Sequence, residues 1–259
     1  MGMGYTIGCL ISILLWRVDR QGLFGFINVK LKEKIKNIYM LQFLYLCGVI
    51  AIYSGIAFLA DVTFIKSNQV FNAITAFMVI DISNTERKSL NNTERKHFYD
   101  TISTISRSLI CGFIAPLFYI LILGNGAAIV FTLLYIITLD KELNILGILL
   151  TCATIIPAII AEIFLYIIYV FRNQKVKIDF KGDYANNIWN KPTLNVDILA
   201  AYIESVNFYF HYNGNDMHYL KSYGGYSDKV DDACVKDYLS ISYSICFIVF
   251  TVFLVLQFL

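Results

Sequence analysis

Four stretches of the chain, 39–60, 109–139, 143–171 and 238–259, hold 104 residues between them and a single formal charge, Glu162. The other 39 charged side chains are confined to the remaining 155 residues. A run of about 18 or more apolar residues is long enough to cross the hydrocarbon core of a bilayer as a helix. Such a helix satisfies all its backbone polar groups internally, which lipid requires. The pattern therefore predicts an all-α, polytopic integral membrane protein with about five to six transmembrane helices and one extramembrane loop region. It also predicts a multi-pass location in the cell membrane, with the lipid bilayer as a partner.

Shorter apolar runs refine the count. The run Tyr5–Trp16, closed by Arg17, Asp19 and Arg20, reads as a short or partial membrane helix. With no basic leader and no small-residue cleavage site, it does not read as a signal peptide. Met1-Gly2-Met3-Gly4-Tyr5-Thr6 fits the myristoylation pattern, yet an acyl chain adds little to a multispan protein. Residues 69–82, with Ser67-Asn68 as a cap, are too few for a comfortable span. The run 109–139 is too long for one, and Gly124-Asn125-Gly126 interrupts it, so a helical hairpin is expected there. Residues 143–171 read as one long helix in which Pro157 removes a backbone donor. Glu162 lies in the same helix. An ionisable group inside a membrane helix is costly and faces protein or a wet cavity; here a polar contact between helices is expected.

The polar segments set the domain organisation. Residues 1–171 form an N-terminal membrane helix bundle with polar loops 17–38 and 83–108, 172–237 an extramembrane loop region, and 238–259 a C-terminal transmembrane helix. The loop 17–38 carries six basic and two acidic groups, which places it on the cytoplasmic side. Within 83–108, Asn84-Thr85-Glu86-Arg87-Lys88 is repeated as Asn92-Thr93-Glu94-Arg95-Lys96. Each copy reads as a capped helix start, and from Thr93 a helix can run into the apolar segment at Leu109. In 172–237, eight basic groups balance nine acidic ones, Pro192 opens a helix to about Glu204, and Asp228 can cap a short helix before the last span.

Composition narrows the function. At 58% apolar and 15% charged, the chain is neither disordered nor an ordinary soluble domain. A net charge of +2 spread over several loops offers no face for nucleic acid. The six cysteines include no C-x-x-C pair and the three histidines lack zinc-ligand spacing, so no metal site is expected.

One segment has a family likeness. Thr101-Ile102-Ser103-Thr104-Ile105-Ser106-Arg107-Ser108-Leu109-Ile110-Cys111-Gly112-Phe113-Ile114-Ala115-Pro116-Leu117-Phe118-Tyr119 resembles the T-x-E-S-x-x-E-N-x-x-D-G-x-x-A-P-L-F-Y segment of the adenosylcobinamide-phosphate synthases, the CobD or CbiB membrane proteins of cobalamin biosynthesis. The likeness continues in order along most of the chain. Thr138-Leu139-Asp140 stands where the family has N-T-L-D, and Ile156-Pro157-Ala158 where it has I-P-A-R. Asn186-x-x-Trp189 and Asn207-Phe208-Tyr209-Phe210 resemble N-x-G-W and N-Y-Y-F. Tyr223-Gly224-Gly225 is similar to Y-I-G-D-G, and Ile7-Gly8-Cys9-Leu10-Ile11 to I-G-x-L-I.

The resemblance implies amide-bond formation between adenosylcobyric acid and aminopropanol or its phosphate, giving adenosylcobinamide (phosphate), with ATP and Mg possible cofactors for catalysis. It nominates Asp140 as a catalytic residue and Asn186, Trp189, Asn207, Tyr209 and Tyr223 as substrate-binding residues for a corrinoid. Solvated helix end remains open for Asp140, and an interfacial aromatic belt for Trp189, Tyr209 and Tyr223. Ser103, Arg107, Ser108, Cys111, Ile137 and Ile159 replace family polar residues, and a polar stretch between T-L-D and I-P-A is missing. The AmpE-like branch of the same superfamily shows a similar loss. The alternative expectation is therefore a non-catalytic membrane regulatory or assembly protein, acting with a membrane-protein partner or as a homo-oligomer.

Overall fold

A computed structural model describes residues 2–15, 18, 30–61, 69–81, 98–139, 143–213, 218–224 and 232–258. It is mostly helical, and among the described residues four helices are long and apolar enough to cross a membrane: Ile38–Gly55, Thr101–Leu123, Asn144–Asn173 and Ala233–Gln257. Three apolar helices are shorter: Met3–Leu14, Gln69–Val79 and Asn125–Thr138.

In chain order the helices are α1 (Met3–Leu14), α2 (Ile38–Asp61), α3 (Gln69–Val79), α4 (Phe98–Leu109), a π-helical turn (Ile110–Ile114), α5 (Ala115–Leu123), α6 (Asn125–Thr138), α7 (Asn144–Asn173), α8 (Tyr184–Asn190), α9 (Pro192–Ile203) and, after two strands, α10 (Asp232–Phe258). Asn37 starts α2, its Oδ1 accepting the amides of Tyr39 (3.0 Å) and Met40 (3.4 Å), an N-cap that satisfies donors the helix leaves over. Helix α2 is apolar all round, yet little of it is covered by protein; Tyr39, Met40, Phe43 and Ile50 are exposed. Leu41 and Tyr45 pack into a small core with Leu134, Leu143 and Leu146, and the rest of this apolar helix is of a kind compatible with lipid.

Helices α1 and α3 pack at close range because glycine occupies the contact. A Cβ at Gly8 would lie 2.7 Å from the Ala76 Cβ and against the Ala73 carbonyl. This is the small-residue packing by which membrane helices approach. The Tyr5 hydroxyl donates to Asn125 Oδ1 (2.9 Å), and Asn125 Nδ2 to Asn72 Oδ1 (2.8 Å), so the first residue of α6 ties α1 to α3. The hairpin expected at 124–126 is present: Gly124, at φ +84°, ends α5 and lets α6 fold back.

The long helix α7 contains Pro157, whose missing N–H leaves the Ala153 carbonyl without its helical donor. The Tyr119 hydroxyl from α5 supplies one at 2.8 Å. Gln174, left-handed at φ 52°, ends α7, and the chain runs back along its last turns. The Tyr166 and Tyr169 hydroxyls donate to the carbonyls of Val176 (2.9 Å) and Lys177 (3.3 Å).

The mostly helical fold is consistent with the all-α expectation and carries one short hairpin in addition. Asn207–Asn213 and His218–Gly224 form an antiparallel hairpin, β1 and β2, with Phe208 opposite Tyr223 and Asn207 opposite Gly224. Aromatic residues favour extended chain, and here Phe208 and Tyr223 bury their side chains where the hairpin meets α9. Gly224, at φ +92°, abuts the Val206 carbonyl, where no Cβ would fit. The helix expected to run from the polar segment 83–108 into Leu109 is present over 98–108, with Ile102, Ile105 and Ser106 buried, while the duplicated motif and Asp228 lie outside the described residues.

Candidate functional site

The buried polar groups gather around α9, whose sequence Pro192-Thr-Leu-Asn-Val-Asp-Ile-Leu-Ala-Ala-Tyr-Ile203 is apolar except at a few positions. Helix α9 lies against α4, α7, α8 and both strands, so nearly all of it is covered. Burial of Asn195 and Asp197 demands partners, and each finds them on a different neighbour.

Asp197 points at α4. Ser103 donates to its Oδ2 at 2.7 Å, while Oδ1 is buried without a hydrogen-bond partner. Burial pushes the carboxyl up to about 6, against the pull of Ser103, Ser106 and Arg107. Ser106 in turn shares a 2.9 Å hydrogen bond with the Tyr238 hydroxyl of α10. One polar layer thus links α4, α9 and α10.

Asn195 points toward α8. It accepts from Asn187 Nδ2 (3.1 Å) and donates to the Tyr184 carbonyl (3.3 Å). The Tyr184 hydroxyl donates to Glu162 Oε2 of α7 at 2.8 Å; Glu162 Oε1 is buried with no partner. Burial and the Glu162 carboxylate both push the Tyr184 phenol upward. A cleft of about 400 Å³ opens here, lined by Glu162, Ile163, Tyr166, Ile167, Tyr184 and Leu199 among others.

Just past α9, the Glu204 carboxyl is pushed up to about 7, chiefly by burial; Arg172 pulls it down and Asp237 pushes it up. Arg172 bridges Glu204 (3.4 Å) and Asp237 (2.6 Å), fastening the end of α7 to the start of α10. On the hairpin, the Tyr223 hydroxyl donates to Asp183 Oδ2 at 2.7 Å, and Lys221 pairs with the same oxygen.

The nominated binding residues do not converge. Asn186 is exposed on α8 and Trp189 is 68% exposed. Asn207 and Tyr209, two residues apart, share the hairpin face opposite to Phe208. Tyr223 lies on the Phe208 side and is buried, so it fastens the hairpin and cannot cover a ligand there. Asp140 lies outside the described residues. Asn187, Asn195 and Asp197 escaped sequence reading. Their signal was polar side chains in an otherwise apolar helix, or one position from a residue already chosen.

Among the described residues no group of three or more metal-ligating side chains occurs. Among the described residues, then, no carboxylate cluster fits the Mg that the resemblance implies. Comparison with family models, characterised proteins and solved structures found no match to this chain.

Proposed function

We propose that this chain is a multi-pass membrane protein of the adenosylcobinamide-phosphate synthase type, with five or six spans, acting on a corrinoid at the membrane surface. The observation that supports the kinship is a contact between two separate motifs. Tyr119, last residue of Ala-Pro-Leu-Phe-Tyr, donates to the carbonyl left free by Pro157 of Ile-Pro-Ala. A tyrosine hydroxyl and a helix proline have a joint reason to persist when each satisfies the other's polar group. Nothing in the composition of greasy helices requires that pairing.

The bilayer boundary follows from the same helix. At about 1.5 Å per residue, the 30 residues of α7 measure roughly 45 Å, more than a hydrocarbon core of ~30 Å. The segment 174–183 runs back along its last turns carrying Lys175, Lys177, Asp179, Lys181 and Asp183. Those charges belong in water. The lipid-embedded part of α7 then ends near Glu162, and α8, α9 and the hairpin sit at the surface. In this arrangement Asn186, Trp189 and Tyr209 are exposed and Asn207 is half-buried, and each would meet a flat substrate as a separate polar or aromatic contact. The reaction would join a carboxyl carbon to an amine nitrogen as the carboxyl C–O bond breaks; the oxygen would leave on an activating phosphoryl group, which ATP would supply when bound, and the resemblance assigns Asp140 to the proton the amine loses.

The test is complementation of a synthase-null, cobalamin-producing strain, with membrane insertion verified by fractionation. Growth without added cobinamide is expected, and alanine at Asp140, Asn186 or Asn207 should reduce it. No growth with the protein in the membrane refutes the activity.

The second reading is a non-catalytic regulatory or assembly protein of the AmpE-like type, and one observation favours it. At the family's carboxylate positions, Ser103 holds Asp197 and Cys111 is buried in the core, so this wall of the bundle contributes packing and a structural hydrogen bond. On this reading the alanine variants leave the phenotype unchanged, while disruption of α1–α3 packing abolishes it.

A further inference from the structure

We infer that the Glu162 cleft binds a single-chain amphiphile headed by a primary ammonium group. The inference rests on the membrane reading above and is independent of corrinoid chemistry.

The floor of the cleft is a carboxylate with one satisfied oxygen. Glu162 is 4% exposed; Tyr184 donates to Oε2 and Oε1 has no partner. Among the described residues no basic side chain pairs with it. The neighbouring Asn195 amide gives one Nδ2 hydrogen to the Tyr184 carbonyl, and its other acts on the Glu162 carboxyl without forming a hydrogen bond to Oε1. Left alone, a buried carboxylate oxygen is costly. A donor carrying positive charge compensates it best, because a charge-assisted hydrogen bond is roughly twice as strong as a neutral one.

The walls define the rest of the ligand. Ile163, Ile167 and Leu199 and the ring of Tyr166, whose hydroxyl donates to the Val176 carbonyl, give it apolar walls. A volume of about 400 Å³ lies in the range of small-molecule sites. Ile163 and Ile167 are 55% and 45% exposed, and Ile156, two turns earlier on α7, is exposed too. An apolar track therefore leads from the lipid-facing surface of α7 to the carboxylate. The charged return segment 174–183 contributes Phe180 to the lining. A ligand here has its tail among the isoleucines and its head at the water boundary. A quaternary ammonium has charge but no N–H for Oε1, and an alcohol has a donor but no charge, so both should bind less well.

The experiment uses the full chain in lipid nanodiscs and a photoreactive, diazirine-bearing dodecylamine, with attachment mapped by mass spectrometry. Labelling is expected on the α7 stretch around Ile163–Ile167. Free dodecylamine should compete at least about tenfold better than dodecyltrimethylammonium or dodecanol, the factor set by loss of one charged hydrogen bond. Glu162→Gln should reduce labelling about tenfold or more. Tyr184→Phe, which keeps the carboxylate and frees its second oxygen, should retain or increase it. Equal competition by dodecanol would show an apolar groove only and overturns the inference, as does unchanged labelling of Glu162→Gln or labelling spread over all helices. The competition series on the wild-type chain decides the matter even where a variant fails to fold, and it is unaffected by the outcome of complementation.

Discussion

Asp197 should make the folded protein less stable as pH rises from about 4 to 6, and Asp197→Asn should remove that dependence. The carboxyl stands at about 6 in the fold against an ordinary 3.8. Its elevation comes first from burial among α4, α9 and α10, with Oδ1 unpartnered. A group whose pKa is raised by folding holds its proton longer in the native state than in the unfolded chain. The associated stabilisation is complete below the unfolded value and is lost as pH rises through the folded one. The difference corresponds to roughly 3 kcal/mol. For a chain of this size that is on the order of 6–12 °C in melting temperature. Asparagine is nearly isosteric, keeps a carbonyl oxygen for Ser103 and does not titrate. The assay is thermal unfolding in detergent from pH 4 to 7.5, comparing the two proteins at each pH. All other groups titrate alike in both, so the difference curve isolates Asp197. Glu204, raised from 4.5 to about 7, adds a slope of the same sign at higher pH, and Glu204→Gln removes that part. Parallel curves for wild type and Asp197→Asn between pH 4 and 6 would falsify the assignment of a buried, elevated carboxyl.

Two further outcomes test the packing. Gly8→Leu should cost about 1–3 kcal/mol through overpacking of α1 against Ala73 and Ala76, lowering the melting temperature, whereas Gly48→Leu, with open space around its Cβ position, should leave it nearly unchanged. Tyr223→Phe removes the donor to Asp183 and should loosen the hairpin by about 1–3 kcal/mol, the range for a bond to a charged acceptor; hydrogen exchange across 207–224 should accelerate while that of α7 stays constant.

Much of the fold could be read from the order of apolar and charged residues. Helix length, the break at Gly124, the helix opened by Pro192 and the long run through Pro157 are all local properties. They depend on backbone permissiveness and on apolar length, which a few adjacent residues specify. The hairpin was less legible, because neither Asn207–Asn213 nor His218–Gly224 specifies its partner strand. Pairing between two such segments is a non-local event. The candidate site was least legible. Asn186 and Asn187 are neighbours of the same type, and only the helix rotation against α9 buries one and exposes the other.

The sequence by itself determined the helices and the coarse architecture: long uncharged runs form helices that satisfy their own backbone and are long and apolar enough to cross a membrane. Tertiary structure alone decided which polar groups meet. Tyr119 with the carbonyl freed by Pro157, Ser103 with Asp197, and Tyr184 with Glu162 lie 34, 94 and 22 residues apart. Hydrogen bonds act over about 3 Å, and no periodicity along a chain encodes a distance that only packing brings about.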